Sequence, residues 1–252
     1  MRARYHPRMG FIILIFVVLA LVFGPSLWVR NVLKRYSEPA DRYKGTGAQL
    51  ARWLLNKHGL ENVSVQTTDQ GDHYDPVDKA VRLTPDKYEG QSLTAITVAA
   101  HEVGHALQDK EAYAPLRLRS HLVRVVGPVQ RVGAGALMAA PFIGMLTRAP
   151  SVGLIMLGAG FLTLATSTLV HLVTLPTEFD ASFNRALPLL DDHRVLKEVD
   201  RPHARRLLTA AALTDVSASL MSLLLIARWW AILRRSGPGN AGFRPSRPLN
   251  SL

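Results

Sequence analysis

The stretch His101-Glu102-Val103-Gly104-His105 has the residue types and the spacing of a hydrolytic zinc site. On an α-helix, residues four positions apart lie on one face, so His101 and His105 can direct two imidazoles at one ion. Neutral imidazole suits Zn²⁺, and catalytic zinc sites combine three protein ligands with a position for water. Glu102 follows the first ligand directly, and its carboxylate is placed to act on that water as a general base. The motif predicts metal-assisted hydrolysis with one zinc ion per chain.

The residues around this motif favour a packed site over a solvated helix. A solvated helix that carried two His and one Glu by chance would place charged residues among them. Here the flanking positions are small and apolar, which lets neighbouring elements approach closely and leaves the ligand face as the polar one. These positions are Ala99, Ala100, Val103, Gly104 and Ala106.

A third ligand must come from elsewhere in the chain, and because cysteine is absent it must be His, Asp or Glu. Glu178 stands out because it follows Pro176 at the exit of an apolar segment, where a new helix begins. Two apolar segments separate it from His105, and a hairpin of two spans returns the chain to the same side of a membrane. The acidic residues that follow the motif are Glu111, Glu178, Asp180, Asp191 and Asp192.

The apolar residues come in long blocks, which favours a membrane protein over one or two soluble domains. Hydrophobic residues make up 48% of the 252 positions, and residues 10–29 contain no charge. About twenty helical residues at 1.5 Å each cross a bilayer core of about 30 Å. Helices buried in a soluble core are the alternative, but such helices usually keep a polar stripe. We predict four transmembrane helices, at residues 10–29, 123–147, 151–175 and 207–233.

The basic residues also favour a membrane. A net charge of +11 would suggest nucleic acid as the partner of a soluble protein, but here Lys and Arg crowd the ends of the apolar segments. This placement is typical of anchoring to anionic lipid, so we expect a bilayer partner and no nucleic acid. The basic tail at residues 1–9 also fits a cleaved signal peptide, but the apolar run is long and no small-x-small cleavage site follows it.

Residues 30–122 predict a small α+β metallopeptidase portion that carries the zinc motif. A capping box that begins at Thr46 starts an amphipathic helix, which is expected to end at Gly59. Residues 92–109 contain helix formers throughout and begin with a Ser cap, which places the motif on a helix.

The remaining segments complete the predicted architecture. Residues 63–68 and 79–84 alternate between apolar and polar side chains, which predicts a short β-hairpin or a sheet edge. Residues 176–206 predict a helical segment that brings the third zinc ligand, and residues 234–252 a disordered tail. The fold class is a mainly α-helical integral membrane protein, with about four transmembrane helices and this small α+β portion.

Four stretches of the chain, in this order, resemble a known bacterial family. They are DHYDPVDKAVRLTP, VAAHEVGHALQDKEAYAPLRLR, LVTLPTEFDAS and AALTDVSASLMSLL, and apolar segments separate them. The chain resembles the YugP-type membrane zinc proteases, the bacterial neutral zinc metallopeptidase family, and more distantly the HtpX-like membrane proteases. The resemblance implies a membrane metallopeptidase for protein or peptide substrates, with Zn²⁺ on His101, His105 and Glu178 and with Glu102 as catalytic base.

The sequence also contains candidates for the residues that would orient these zinc ligands. Many glutamate-liganded zinc peptidases place an Asp four residues after the ligand Glu, but here Ser182 stands there and Asp180 lies two residues on. His171 and Asp215 lie within apolar segments, where charge is costly, and we predict that they pair as a polar floor below the zinc. The alternatives are a backbone carbonyl partner for His171 and an interfacial position for Asp215.

His73 and Tyr74 are candidates for binding the oxyanion or the substrate, the alternative being ordinary loop residues. Residues 79–84 are predicted to bind substrate backbone as an edge strand. More basic residues follow the first span than precede it, and the HtpX-like comparison agrees. We therefore expect a multi-pass protein of a bacterial inner membrane with its active site facing the cytoplasm.

Two other functions compete with the peptidase. Site-2-type intramembrane proteases also use H-E-x-x-H, but on a spanning helix and with a later Asp ligand in an L-D-G sequence, which this chain lacks. A non-catalytic zinc scaffold would need four protein ligands to close its site, and the sequence offers three. The peptidase is therefore the favoured interpretation.

Overall fold

The computed structural model describes residues 7–147, 150–218 and 220, and this part of the chain is mostly helical with one small sheet. The helices are α1 (Pro7–Arg35), α2 (Gly47–Lys57), α3 (Pro85–Tyr88), α4 (Leu93–Lys110), α5 (Ala114–Leu146), α6 (Pro150–Phe179), α7 (Leu187–Asp192) and α8 (Arg201–Ala212). The strands are β1 (Ser64–Thr67), β2 (His73–Asp75) and β3 (Ala80–Leu83). A π-helical segment, Asp180–Ala186, joins α6 to α7, and a 3₁₀ turn, Glu198–Asp200, precedes α8. Residues 214–218 are helical again after α8.

The predicted helix caps are confirmed, because side chains at both starts satisfy free backbone amides. Thr46 accepts a hydrogen bond from the N–H of Gln49 at 3.2 Å, and the Gln49 side chain accepts one from the N–H of Thr46 at 3.0 Å. Ser92 accepts a hydrogen bond from the N–H of Ala95 at 3.2 Å and starts α4. Gly59 follows α2 with a φ of 65°, the left-handed conformation that ends many helices.

The sheet has the strand order β1-β3-β2, which corrects two predictions. β1 and β3, which lie in the two runs expected to form a hairpin or a sheet edge, pair in parallel, with Val65 opposite Val81, and β1 lies at one edge of the sheet. The hairpin forms instead between β2 and β3, which are antiparallel, with Tyr74 opposite Val81. β3 therefore has partners on both sides, and the prediction that residues 79–84 bind substrate as an edge strand is wrong.

The turn after β2 explains this pairing. The Asp75 carboxylate accepts hydrogen bonds from the N–H groups of Val77 at 2.8 Å and Asp78 at 3.2 Å, which closes a tight turn. Lys79 has a φ of 50° and leads the reversed chain into β3. Alternating side chains reveal a strand but not its direction, and a three-residue strand such as β2 is too short for alternation to stand out.

α4 is the buried centre of the described chain. Every residue from Leu93 to Gln108 is buried. α2, the sheet, the π-helical segment and α8 all pack against this helix. The apolar side chains that fill the core around it include Leu54, Leu55, Val81, Leu83, Val103 and Leu190.

α5 and α6 pack extensively against each other as a helical hairpin. A Cβ on Gly133 would lie 2.6 Å from the Thr163 side chain, so glycine permits their close approach. α6 continues through Pro176 into the π-helical segment and α7. Among the described residues, the resulting stretch Ser151–Asp192 is the one helix long and apolar enough to cross a membrane.

Three of the four predicted spans fall within long helices. Residues 10–29 lie in α1, residues 123–147 almost entirely in α5, and residues 151–175 in α6. The fourth predicted span, 207–233, begins in α8, but most of its residues from 219 on lie outside the described part of the chain. The predicted tail at 234–252 also lies outside it.

Candidate metal centre

His101 and His105 lie one turn apart on one face of α4, as their spacing predicts. Both residues are only 3% exposed. Their ring centroids are 4.8 Å apart, and the ring planes meet at 80°. The small apolar neighbours of the two histidines allow other elements to cover this face of the helix, which explains the burial.

Glu178 reaches the two imidazoles from the C-terminal end of α6. Its Oε2 atom lies 3.1 Å from Nε2 of His105 and 3.4 Å from Nε2 of His101. All three side chains are buried, and their potential ligand atoms lie within 4.8 Å of one another. The hairpin of α5 and α6 returns the chain to α4, which is the route that the two apolar segments predict.

Gly104, in the middle of the motif, lets the π-helical segment approach α4. A Cβ at this position would lie 2.6 Å from the carbonyl oxygen of Ala181, closer than real Cβ contacts come. The π-helical segment follows directly after the helix that carries Glu178, and it includes Ser182. π-helical turns are rare and occur frequently at functional sites, but this run was predicted as ordinary helix because no residue type marks a π turn.

Ser182 orients His101. Its hydroxyl donates to the carbonyl oxygen of Leu208 at 3.0 Å. Because a hydroxyl has only one proton, the 3.0 Å contact between Ser182 Oγ and Nδ1 of His101 must have the imidazole as donor. In the neutral ring Nδ1 therefore carries the proton, and Nε2 of His101 presents a lone pair to Glu178. A serine hydroxyl thus occupies the position where many related sites use an Asp.

Gln108 orients His105, and Asp180 assists through it. The Gln108 amide nitrogen donates to the carbonyl oxygen of Thr177 at 2.9 Å and to the Asp180 carboxylate at 2.7 Å. These two acceptors fix the direction of the amide, so its oxygen accepts a hydrogen bond from Nδ1 of His105 at 2.9 Å. In the neutral ring, Nε2 of His105 then carries the lone pair. Sequence reasoning missed Gln108, although its place three residues after His105 puts it on the same helical face.

Three hydrogen-bond acceptors therefore converge, two imidazole lone pairs and one carboxylate oxygen. At 3.1 and 3.4 Å such acceptors repel one another unless a cation lies between them. In a tetrahedron with metal–ligand bonds of about 2.0–2.1 Å, neighbouring ligands are about 3.3 Å apart, which these two distances match. Oε2, which lies beside both imidazoles, is the oxygen placed to bind such a cation. His101, His105 and Glu178 thus fit a zinc ion.

Glu102 lies next to this cluster on α4 and is 5% exposed. Burial raises the pKa of its carboxyl to about 8, and the nearby His101 and Arg119 oppose the rise. Within the described part of the chain, no group donates a hydrogen bond to this carboxylate. A buried carboxyl with a pKa near neutrality and no fixed partner is suited to exchanging a proton with water.

Arg119 of α5 is the main residue of this site that sequence reasoning missed. Its Nε lies 2.9 Å from Oε1 of Glu178, and its Nη2 donates to Oδ2 of Asp215 at 2.9 Å. The same Asp215 oxygen lies 3.8 Å from Nδ1 of His171. The structure therefore brings His171 and Asp215 together, but Arg119 is the closer partner of Asp215. The run LRLR offers Arg117 and Arg119 equally, and nothing in the sequence tells which one faces the site.

His73 and Tyr74 have other hydrogen-bond partners. The Tyr74 hydroxyl donates to Asp109 at 2.6 Å, near the C-terminal end of α4. Nδ1 of His73 lies 2.8 Å from the carbonyl oxygen two residues before it. Asp72, the residue before β2, is close enough to Glu102 to raise the pKa of that carboxyl, so β2 begins near the base. The substrate-binding roles of His73 and Tyr74 stay predictions.

Comparison with known proteins adds an independent finding. The profile of a family described as "Putative neutral zinc metallopeptidase" matches residues 11–234. The "Putative membrane protease YugP" of Bacillus subtilis (strain 168) is 34% identical over 223 residues, which are 88% of this chain and 95% of that protein. No solved structure matches the chain. The family match spans the zinc motif, Glu178 and Asp215 alike.

Proposed function

The chain belongs to the neutral zinc metallopeptidase family, and from that premise we propose that it is a membrane-embedded zinc metalloendopeptidase that cleaves protein substrates. The observation that carries the proposal is the convergence of His101, His105 and Glu178 on a point that suits a cation. In this proposal these residues hold one Zn²⁺ per chain and Glu102 is the catalytic base. A site-2-type intramembrane protease is less well supported, because α4 packs against α2 and the sheet.

The chain's own residues supply the proton transfers. Bound zinc would polarise the peptide carbonyl and lower the pKa of a water molecule. Glu102 accepts a proton from the attacking water and passes it to the leaving amine. A cation nearby favours the ionised form of Glu102, which burial alone opposes. His101 and His105 keep their Nε2 lone pairs directed at the ion because Ser182 and Gln108 hold the opposite ring nitrogens.

Four further residues have proposed roles around this centre. His73 and Tyr74, on the strand that begins near Glu102, would contact the substrate or the developing oxyanion. His171 and Asp215 would form the polar floor of the site together with Arg119, a role supported by the 3.8 Å and 2.9 Å contacts of the Asp215 carboxylate.

We propose four transmembrane helices, at residues 10–29, 123–147, 151–175 and 207–233, in a bacterial inner membrane with the active site towards the cytoplasm. The stretch that includes α6 has the necessary length and hydropathy, and the relative is named a membrane protease. α1, α5 and α6 also expose many large apolar side chains, which soluble proteins seldom do on this scale. Those more than half exposed include Phe16, Leu21, Val132, Met138, Phe142, Ile155, Phe161 and Leu162.

Zinc content and proteolysis together test this function against a non-catalytic zinc scaffold. Wild type, Glu102→Gln and Glu178→Gln are purified in detergent from the membrane fraction, analysed for zinc by mass spectrometry and assayed with casein. We expect Glu102→Gln to retain zinc and to lose proteolysis by about 10²–10⁴-fold, because it lacks only the base. Glu178→Gln should lose both zinc and proteolysis. Glu61→Gln, a change on an exposed carboxylate between α2 and β1, is the matched control and should change neither.

Three results would contradict parts of the proposal. Unchanged proteolysis in Glu102→Gln would remove Glu102 from the mechanism. Equal zinc in all variants without cleavage by any of them would favour the scaffold and exclude Glu178 as a ligand. Recovery of the chain from the soluble fraction would contradict its embedding in the membrane.

A further inference from the structure

The two carboxylate oxygens of Glu178 have different neighbours, and Arg119 contacts one of them. Oε2 faces the imidazole nitrogens of His105 and His101 at 3.1 and 3.4 Å, whereas Oε1 lies 2.9 Å from Nε of Arg119. Oε1 and this Nε are both buried, and neither makes a hydrogen bond of ordinary geometry. The attraction of opposite charges therefore holds them together, and it turns the carboxylate so that one oxygen alone faces the imidazoles.

Arg119 is itself held from a third part of the chain. Its Nη2 donates to Oδ2 of Asp215, in the helical stretch that follows α8. The guanidinium is planar with its donors in a rigid fork, so a hydrogen bond at Nη2 also sets the direction of Nε. Contacts thus lead from Asp215 through Arg119 to Glu178, which joins α5, α6 and the chain after α8 at one point.

The number of oxygens that Glu178 offers decides whether a metal site is open or closed. A carboxylate that binds through both oxygens fills two positions, so that with two imidazoles a four-coordinate ion is complete and water can join it only as a fifth ligand. A carboxylate that binds through one oxygen leaves a position for water, which hydrolysis needs. A cation fixed beside Oε1 favours the second arrangement.

We propose that Arg119 is a positioning residue that keeps Glu178 a one-oxygen ligand, and so keeps one position of the metal open. This inference rests on the proposed function, because it needs a metal on His101, His105 and Glu178. An ion pair with a purely structural role would hold α5 in place without changing the ligands of the ion.

Cobalt(II) in place of zinc reports the ligand arrangement directly, since its visible absorption is intense with four ligands and weak with five or six. The full-length chain is purified in detergent as wild type, Arg119→Gln, Arg119→Lys and Arg117→Gln. Arg117→Gln is the matched control, because it removes the same charge from an exposed position two residues away on α5. We expect the intense band in wild type and Arg117→Gln, its shift and loss of intensity in Arg119→Gln, and partial recovery in Arg119→Lys.

Asp215→Asn weakens the hydrogen bond that holds the Arg119 guanidinium from the helical stretch after α8. It keeps the test decisive if Arg119→Gln does not fold. It loosens the guanidinium while leaving Arg119 in place, so it should also weaken the band. An intact band in every folded variant of Arg119 and Asp215 would overturn the positioning role and leave the proposed function standing. Failure of the wild type to show any cobalt band that His101→Ala removes would instead overturn the proposed function, and this inference with it.

Discussion

Asp200 and Glu178 are both buried carboxylates beside an arginine, and their surroundings differ in how fully their oxygens are satisfied. The Asp200 oxygens accept hydrogen bonds from Nε of Arg42 at 2.7 Å, from Nη2 of Arg42, and from the Tyr43 hydroxyl at 2.7 Å. Glu178 places one oxygen 3.1 and 3.4 Å from the Nε2 atoms of His105 and His101, and its other oxygen lies 2.9 Å from Nε of Arg119 without a hydrogen bond from any described residue.

This difference separates a carboxylate that builds structure from one that binds a ligand. A buried ionised group is costly unless it is paired and hydrogen-bonded. Arg42 and Tyr43 meet that need for Asp200 within the chain, and they tie the segment after α1 to the start of α8. Glu178 is satisfied fully only when a cation is added. Variants at the two places should therefore change different quantities, stability at Asp200 and metal affinity at Glu178.

Among changes that remove no ligand, Gly104→Ala should damage the Glu178 site most. The new Cβ would lie 2.6 Å from the backbone carbonyl oxygen of Ala181, which cannot rotate away as a side chain can. α4 and the π-helical segment must then separate, which should cost about 3 kcal/mol of unfolding free energy. Zinc affinity should fall by about 100-fold, because Ser182 and Glu178 move with the π-helical segment. Urea unfolding of the metal-free protein and zinc titration measure the two effects.

Gly135→Ala on α5 is the matched control for this change. Nothing lies within 4 Å of the position that its Cβ would take. The substitution should be neutral or should stabilise the helix by up to about 1 kcal/mol, because alanine favours helix more than glycine does. If Gly104→Ala bound zinc as tightly as Gly135→Ala, the close approach at Gly104 would not be what positions the ligands.

Asp200→Asn should lower the free energy of unfolding by about 2–3 kcal/mol and leave zinc affinity unchanged. The neutral amide cannot accept both N–H groups of the Arg42 fork. The expected loss is smaller than for a fully buried pair, because 27% of the Arg42 side chain is exposed. Glu178→Gln should show the opposite pattern, a small change in metal-free stability and loss of zinc. Urea unfolding and zinc titration of both variants compare the patterns, and identical patterns would remove the distinction between the two carboxylates.

The predictable parts of the Glu178 site are those with a local or a topological signal. The positions of His101 and His105 follow from helical spacing. A hairpin of two apolar segments permits Glu178 to join them and favours it among the acidic candidates, and the family resemblance implies the complete set. Arg119 could not be chosen over Arg117, because the choice depends on how α5 is rotated about its own axis. That rotation is set by packing against other elements, and no pattern within α5 encodes it.

The Asp200 cluster, which consists of Asp200, Arg42 and Tyr43, and the sheet also depend on contacts that the sequence does not reveal. Arg42 and Asp200 are 158 positions apart, and neither carries a local mark of the other. Alternation revealed the strands β1 and β3, but it is identical for parallel and antiparallel pairs, so the direction of pairing was predicted wrongly. Long-range packing decides both features, whereas the caps of α2 and α4, which depend on four consecutive residues, were predicted correctly.

Ser182→Ala should weaken zinc binding by about tenfold with little change in fold, because it frees the His101 ring to change its tautomer or its orientation. The chelator concentration that removes half of the bound zinc measures this effect. Ser120→Ala is the control, since among the described residues the Ser120 hydroxyl bonds only to the carbonyl oxygen of Leu116 in its own helix. Equal zinc affinity in both variants would mean that packing alone holds the His101 ring.

Acid should weaken the Asp200 cluster without a mutation, and this is the smallest effect expected. Burial alone would raise the pKa of Asp200, but the hydrogen bonds from Arg42 and Tyr43 outweigh burial and hold the pKa below its ordinary value. The stabilisation is therefore complete above the unfolded-state pKa of about 3.9 and is lost as the pH falls through the lower folded-state value. Urea midpoints of metal-free wild type and Asp200→Asn should differ at neutral pH and converge as the pH passes below that value. A constant difference would assign the effect of Asp200→Asn to side-chain shape, and the contrast between the two carboxylates would then no longer rest on charge.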